Sequence, residues 1–118
     1  MELKATSKNV IPAKAGIQIP KDMKNFYVYM LCSKRNGTLY TGVTSDLAKR
    51  IYEHRNNLVD GFTKKYNVHR LIWYEIHESA ESAIIREKRI KKWKRAWKLK
   101  LIEQTNPKWI DLYENICL

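Results

Sequence analysis

The residues with the most chemical potential in this chain are six polar side chains spread over its middle and end. They are Tyr29, Tyr40, Arg50, His54, Glu87 and Asn106. The set holds two phenols and an imidazole as proton acceptors, a guanidinium for phosphate oxygens, and a carboxylate able to hold a hard divalent cation. A metal-assisted phosphodiester hydrolase needs these parts. The cation polarises the phosphate, the guanidinium offsets charge in the transition state, and a phenol or the imidazole deprotonates water.

The two tyrosines belong to a predicted β-hairpin over residues 26–44. Its two alternating, aromatic-rich runs flank Asn36-Gly37, and this dipeptide readily adopts the positive φ angles of a tight turn. A two-residue turn at that point pairs Tyr29 with Thr44 and puts Tyr29 and Tyr40 on the same face of the sheet. Their offset along the sheet would be about four residues, or roughly 13 Å, unless a bulge brings them closer.

Arg50 and His54 belong to a predicted short helix over residues 47–56, and the polar residues just before it offer an N-cap. Leu47, Ile51 and His54 fall on one stripe of this helix, with Arg50 beside it. Arg50 and His54 are one helical turn apart, so they should project toward neighbouring points in space.

The next predicted elements are a basic surface loop and a third strand. The loop covers residues 57–67 and contains Lys64-Lys65. Residues 70–77, RLIWYEIH, are rich in β-forming residues on both faces. This pattern predicts a strand in the centre of the sheet.

A long helix over residues 80–103, capped by Ser79, is predicted to carry the acidic residue of the set. Glu87 lies within its apolar stripe, and a carboxylate turned toward a core costs several kcal/mol unless a cation or hydrogen-bond donors meet it. We expect the two tryptophans of the stripe to be core residues. The stripe comprises Ala80, Ala83, Ile84, Ile90, Trp93, Trp97 and Leu101.

The chain is predicted to form one domain over residues 23–118, preceded by a disordered extension over residues 1–22. The extension shows neither helical nor strand periodicity. After the long helix, Asn106-Pro107 supplies an N-cap followed by proline at N1, which predicts a closing helix over residues 108–115.

The charge of the chain makes a polyanion its expected partner. Its formal net charge is +11, and nine of the fifteen residues from 86 to 100 are basic. The phosphate-binding candidates are Lys64, Lys65, Arg86, Lys91, Lys92, Lys94, Arg95 and Lys98. An anionic membrane surface is the alternative, in which residues 86–100 form an amphipathic helix with exposed tryptophans.

Two further expectations follow from what the sequence lacks. The sequence contains no apolar run approaching the ~18 to 20 residues of a membrane span, and no secretory signal. We therefore expect a cytoplasmic protein. Cys32 and Cys117 stand outside any metal-binding spacing, so we expect reduced, structural thiols and no small-molecule cofactor.

The ordered motifs resemble the GIY-YIG nuclease superfamily. They are YVY at 27–29, YTG at 40–42, Arg50 followed by His54, and Glu87 ahead of Ile90-Lys91. More narrowly, residues 24–112 resemble small stand-alone bacterial proteins related to the N-terminal domain of a bacterial excinuclease. The first motif departs from the family pattern, because Tyr27 stands where glycine usually does and Val28 replaces isoleucine.

The resemblance implies a small α/β (α+β) fold, a three-stranded antiparallel sheet flanked by helices, that cuts DNA with one divalent metal ion, Mg²⁺ or Mn²⁺. By position, Glu87 is implied to bind the metal, and Tyr29 and Tyr40 to line the site, with one acting as base. Arg50 is implied to stabilise the phosphate and His54 to assist proton transfer, while Asn106 matches a late asparagine of the family. A role in DNA repair is implied only by association with the family.

Several alternatives stay open at this point. The protein could bind nucleic acid on the same fold without cutting it. Glu87 could form a structural bridge with Arg50 or a lysine. The chain ends some fifteen residues after the predicted long helix. We therefore expect low sequence specificity, with a nick, flap, bubble or single strand, or a partner protein, supplying the choice of site.

Overall fold

A computed structural model of the protein describes residues 25–117, so the predicted extension over residues 1–22 lies outside the described residues. The three strands are β1 (Phe26–Cys32), β2 (Leu39–Thr44) and β3 (Arg70–His77). The five helices of the described residues are α1 (Leu47–Arg55), α2 (Phe62–Lys65), α3 (Ala80–Lys91), α4 (Arg95–Thr105) and α5 (Tyr113–Ile116). No helix among them is both long enough and apolar enough to span a membrane.

The predicted fold class is confirmed, because the strands form an antiparallel sheet in the order β2-β1-β3 with helices packed on it. One core includes Val28, Met30 and Cys32 of β1, together with residues of α3 and α4. The other includes Tyr29 and Leu31, together with residues of α1. Since side chains alternate along a strand, β1 contributes to a core on each face of the sheet.

The turn of the hairpin differs from the prediction. Cys32 pairs with Leu39, so six residues connect the strands, and Asn36 has the positive φ (59°). Ser33 Oγ accepts the Thr38 N–H at 3.0 Å, and a Cβ on Gly37 would come within 2.4 Å of that oxygen. The side chain of Ser33 therefore shapes a longer turn than Asn36-Gly37 alone would form.

The longer turn moves the strand register by two residues. Tyr29 pairs with Gly42 rather than with Thr44. Because the shift is even, the same side chains stay on each face. Tyr29 and Tyr40 lie on one face as predicted, but they are offset along the sheet by two residues instead of four, and their ring centroids are 6.3 Å apart.

The strand β3 lies at the edge of the sheet, so its predicted central position is wrong. Its apolar character on both faces has another cause, because residues 106–112 cover its outer edge. Leu112 N donates to Leu71 O at 2.8 Å, and Leu71 N donates to Asp111 Oδ1 at 3.3 Å. Residues 71–73 of the strand are accordingly buried, whereas the residues after them are only partly buried.

The predicted long helix is broken at residues 92–94, where Lys94 is extended (ψ 148°). In an unbroken helix Ile90 and Ile102 would point about 120° apart. Both are fully buried in the same core, so the break lets α3 and α4 each turn an apolar side toward the sheet. Packing thus overrides helix propensity in a stretch without glycine or proline.

Two residues of the predicted apolar stripe are not core residues. Ile84 is 41% exposed and Trp97 is 54% exposed, so the prediction of a core position is wrong for them, whereas Trp93 packs against the core. The membrane alternative required both tryptophans of residues 86–100 to be exposed, and only Trp97 is. The break at residues 92–94 also divides the predicted helix in two.

The predicted closing helix starts later than expected. Asn106 caps the C-terminal end of α4, so its predicted role as an N-cap is wrong. Trp109 has a positive φ (57°) and is fully buried, with its Nε1 donating to Glu103 at 2.9 Å. Burial of this indole holds the backbone out of helical geometry, and the short helix α5 begins only at Tyr113.

Residues 57–67 are also more structured than a loop. The short helix α2 lies within them, and its Thr63 is buried although the residues around it are exposed. For α1 the prediction is confirmed, with Asp46 as the N-cap. The buried residues of α1 are Leu47, Ile51 and His54, which form the predicted stripe.

Candidate active site

Tyr29 is the residue around which the candidate active site is built. It is fully buried on the central strand β1, directly opposite Gly42 of β2. A Cβ at position 42 would come within 2.5 Å of both Cζ and the hydroxyl oxygen of Tyr29. Such a contact cannot be accommodated without moving the phenol, so glycine at position 42 is what allows the ring to lie across β2.

His54 on α1 holds the hydroxyl of this phenol. Its Nε2 is 3.0 Å from the Tyr29 hydroxyl oxygen, and its Nδ1 is 3.0 Å from Thr63 Oγ1 on α2. Burial, assisted by the nearby charge of Arg50, lowers the pKa of His54 to about 4. The imidazole is therefore neutral at neutral pH, with one ring nitrogen donating a hydrogen bond and the other accepting one.

The second phenol closes an aromatic cluster with these two rings. The Tyr40 ring centroid lies 6.3 Å from that of Tyr29 and 5.6 Å from that of His54, and the remaining pair is 5.9 Å apart. Tyr29 is fully buried, whereas Tyr40 is only partly buried. Tyr40 is therefore the phenol of the cluster that solvent can reach.

Two charged side chains act on the Tyr29 phenol. Burial is the main reason that the pKa of Tyr29 lies above its ordinary value, and the neighbouring Tyr40 adds to the shift. The positive charge of the Arg50 guanidinium opposes this rise in the pKa, whereas the Glu87 carboxylate adds to it. Tyr29, Tyr40 and His54 therefore contact one another, and Arg50 and Glu87 lie near enough for their charges to act on the Tyr29 phenol.

Arg50 and Glu87 each have an ionic partner on their own helix. Arg50 Nε lies 3.3 Å from Glu53 Oε1. Glu87 is 8% exposed, and its Oε2 lies 2.6 Å from Lys91 Nζ. The cation that meets the buried carboxylate here is thus a lysine one helical turn away, as one of the alternatives anticipated.

The residues of the site can be tested for their fit to a divalent metal ion. Among residues 25–117, no three His, Cys, Asp or Glu side chains cluster closely enough to hold a metal by themselves. Mg²⁺ does not need such a cluster, because it is commonly held by one or two carboxylates together with water and substrate phosphate. Glu87 fits this mode, and its carboxylate already attracts the ammonium group of Lys91 as a cation.

Asn106 makes its contacts elsewhere. Its Nδ2 donates to Ile72 O at 3.1 Å and to Ile110 O at 2.8 Å, and its Oδ1 accepts the Ile110 N–H at 2.9 Å. Both donors and the acceptor are thus engaged in closing the turn after α4. Its predicted catalytic role stays a prediction, and these contacts account for the residue structurally.

The predicted phosphate-binding residues divide into two groups. Arg86 pairs with Glu75 at 3.1 Å, and Arg95 donates to the carbonyl oxygens of Asn36 and Gly37 at 2.9 and 2.7 Å. These two arginines therefore hold the fold together. In the second group Lys64, Lys65, Lys91, Lys92 and Lys94 are exposed, and Lys98 is partly buried.

Sequence reasoning missed three residues that position the site: Gly42, Thr63 and Phe62. The glycine carried a usable signal, since a glycine within a strand often marks a close approach by another group. Thr63 carried none, because its burial depends on α2 packing under His54. Phe62 stacks on Tyr40 with centroids 6.1 Å apart, a contact between segments that are distant in sequence.

The titration of His54 predicts a pH dependence of stability. Its pKa is about 4 in the folded protein against an ordinary value of 6.5, so the unfolded chain binds the proton first as the pH falls. The stabilisation of the folded state by the neutral His54 is therefore complete above pH 6.5 and is lost between pH 6.5 and 4. We expect the free energy of unfolding to fall by up to about 2 kcal/mol between pH 7 and pH 5.

Urea denaturation of the protein and of His54→Gln at both pH values measures this loss. Carboxylates titrate in both proteins, so the difference between their pH slopes isolates the imidazole. Equal slopes in the two proteins would show that His54 is not held neutral by the fold.

Comparisons with known proteins show what the chain is similar to. Residues 25–100 match the family described as the GIY-YIG catalytic domain. A UPF0213 protein of Staphylococcus saprophyticus is 37% identical over 82 residues, covering 70% of this chain and 99% of that protein. A UPF0213 protein of Syntrophus aciditrophicus is 41% identical over 87 residues, covering 72% and 97%. The solution NMR structure of a UPF0213 protein from Bacillus halodurans has a TM-score of 0.48 and 29% identity, covering 74% of this chain and 92% of that one.

The chain therefore belongs to the GIY-YIG family and, within it, groups with the small UPF0213 proteins. The predicted resemblance to this superfamily is confirmed. The GIY-YIG domain is a nuclease domain that acts on DNA, whereas the UPF0213 designation specifies no activity.

Proposed function

We propose that the protein is a divalent-metal-dependent DNA endonuclease that hydrolyses phosphodiester bonds with low sequence specificity. The observation that carries this proposal is the contact among Tyr29, Tyr40 and His54, with the charges of Arg50 and Glu87 near enough to act on the Tyr29 phenol. We infer that a proton acceptor, a phosphate-binding cation and a metal ligand would act on one substrate phosphate at this site.

Each side chain has a distinct task in this mechanism. Glu87 would hold Mg²⁺ or Mn²⁺, which when bound polarises the phosphate and stabilises the leaving oxygen. Arg50 offsets the negative charge that develops on the phosphate oxygens. Tyr40 orients the attacking water, because it is the phenol of the pair that solvent reaches. Its oxygen takes the proton of that water as its own O–H proton passes to solvent.

The pair of Tyr29 and His54 positions the Tyr40 ring. The hydrogen bond between them, and the bond from His54 to Thr63, fix both rings against which Tyr40 packs. His54 also offers a proton acceptor within the cluster, since it stays neutral at neutral pH. Because the Tyr29 and His54 rings are fixed, the Tyr40 ring packed against them is held in one position relative to the phosphate.

Exposed lysines on α2 and around the break between α3 and α4 supply the electrostatic attraction to DNA. Binding through phosphates depends little on sequence and weakens steeply with salt. Cytoplasmic location, a role in DNA repair and a targeting partner protein are compatible with this activity and belong to the proposal.

Cleavage of a panel of substrates tests the proposal. We expect supercoiled plasmid to be nicked, and flapped or branched oligonucleotides to be cut, in the presence of Mg²⁺ or Mn²⁺ but not with a chelator. Tight, salt-sensitive binding without cleavage under any of these conditions would contradict the enzymatic assignment.

A DNA-binding module without cleavage is the second candidate function. The contact between Lys91 and Glu87 favours it, because the ammonium group neutralises the carboxylate where a metal ion would bind. Lys91 is half-exposed, however, so solvent screens its ammonium group and the flexible side chain can move away from the carboxylate. A divalent cation can therefore displace it, and for this reason we prefer the enzyme.

A further inference from the structure

The short helix α2 and its C-cap residue, Tyr66, present two aromatic side chains to solvent. Phe62 is 45% exposed and Tyr66 is 47% exposed, and their ring centroids are 4.8 Å apart. Together with Gly61, Lys64 and Lys65 they line an open depression of about 790 Å³. Two adjacent exposed aromatic rings, at the start and just after the end of a helix of four residues, are more apolar surface than this small element needs for its own packing.

This pair of rings, which we call the aromatic platform, continues directly from the candidate active site. The Phe62 ring lies against the Tyr40 ring at 6.1 Å with an interplanar angle of 27°. Tyr40, Phe62 and Tyr66 thus form a row that leads from the partly buried site to solvent. Anything that stacks on the platform lies next to the phenol that we assign to the attacking water.

The platform is held by the same element that orients His54. Thr63, between its two rings in sequence, is buried and lies 3.0 Å from His54 Nδ1. Backbone hydrogen bonds from Tyr66 N to Phe62 O, at 3.0 Å, and from Val68 N to Thr63 O, at 2.9 Å, close the turn. The position of the platform relative to the site is therefore set by the fold.

The charge around the platform favours a nucleic acid as its ligand. Lys64 and Lys65 are both exposed, and Lys65 Nζ lies 5.3 Å from the centre of the Tyr66 ring. Aromatic faces beside lysines are the combination by which proteins hold single strands, since bases stack on the rings while cations meet the phosphates. A paired base in a duplex has its faces covered by its neighbours and cannot use the rings.

We infer that the aromatic platform stacks an unpaired nucleobase next to the reacting phosphate, so that the substrate is DNA with a single-stranded segment at the cleavage point. This inference rests on the proposed function for the identity of the site. It specifies the type of DNA that is cut, which the proposed function leaves open because cationic residues alone would bind a duplex and a single strand alike.

Binding measured without cleavage tests the inference. Oligonucleotides carry the fluorescent base 2-aminopurine either in an unpaired flap beside the duplex junction or in a fully paired duplex, and a chelator is present throughout. We expect the flap probe to be quenched on binding, and Tyr66→Ala to weaken flap binding roughly ten-fold while changing duplex binding less than about two-fold. Tyr66→Trp should restore flap binding because it restores an aromatic face.

Tyr52→Ala is the matched control, since Tyr52 is a 53% exposed tyrosine on α1, outside the depression, and should leave both affinities unchanged. Phe62→Ala is a second variant, accompanied by a thermal melt because its ring also packs on Tyr40. Equal losses of flap and duplex binding by Tyr66→Ala, or an unquenched flap probe, would overturn the inference.

The two proposals fail in different ways. If the protein cuts no DNA but Tyr66→Ala selectively weakens flap binding, the platform stands and the nuclease proposal falls. If the protein cuts flap and duplex equally and Tyr66→Ala weakens neither complex, the nuclease proposal stands and the platform falls.

Discussion

Glu87→Gln is expected to lower metal-dependent DNA cleavage by roughly a thousand-fold or more. The substitution keeps the size of the side chain and removes the charge that would hold the cation. A bound metal ion supplies several kcal/mol of transition-state stabilisation, and about 4 kcal/mol corresponds to a factor of a thousand. Glu87 is the one buried carboxylate among the described residues, so no neighbouring acid can take its place.

DNA binding by the same variant should be retained or strengthened, because the protein loses a negative charge near the phosphate. Measuring affinity and cleavage on the same oligonucleotides, at two salt concentrations, separates these effects. Glu81→Gln is the control, since it removes the same charge from an exposed position in the first turn of the same helix. Undiminished cleavage by Glu87→Gln would contradict the assignment of Glu87 as the metal ligand.

Tyr40→Phe is expected to slow cleavage by at least about a hundred-fold, which is the lower range for losing a general acid or base. The change removes only the hydroxyl oxygen. The ring contacts with Tyr29, His54 and Phe62 are kept, so the thermal midpoint should hardly move. A large loss of activity with an unchanged fold is the signature of a group that acts on the reacting atoms.

Single-turnover cleavage at saturating enzyme is the appropriate measurement, because it isolates the chemical step from binding and product release. Tyr52→Phe removes a hydroxyl from an exposed tyrosine on α1 and serves as the control. If Tyr40→Phe cuts as fast as the unaltered protein, the proton goes to another group, and Tyr29 with His54 becomes the pair to test.

The sequence predicted the elements of the site better than their exact arrangement. Tyr29 and Tyr40 were placed on one face correctly because strand alternation survives an even shift of register. Their distance was wrong because it depends on Ser33, whose hydroxyl stabilises a six-residue turn. Turn residues compete locally in ways that a dipeptide pattern does not capture.

Tertiary packing accounts for the other differences. Nothing in the composition of residues 92–94 ends a helix, and the break reflects the need of Ile90 and Ile102 to face one core. The same limit applies to Thr63 and Phe62, which gain their roles by packing against His54 and Tyr40. Contacts between segments far apart in sequence are not encoded in local periodicity.

The covering of β3 by residues 106–112 bears on where the folding unit ends. The match to the GIY-YIG domain stops at residue 100, within α4. A fragment trimmed to that boundary would lose the fully buried side chains of Ile102 and Trp109 and leave the Leu71 backbone groups without partners. The end of the family match at residue 100 therefore lies short of the end of the folding unit, which extends at least to Leu112.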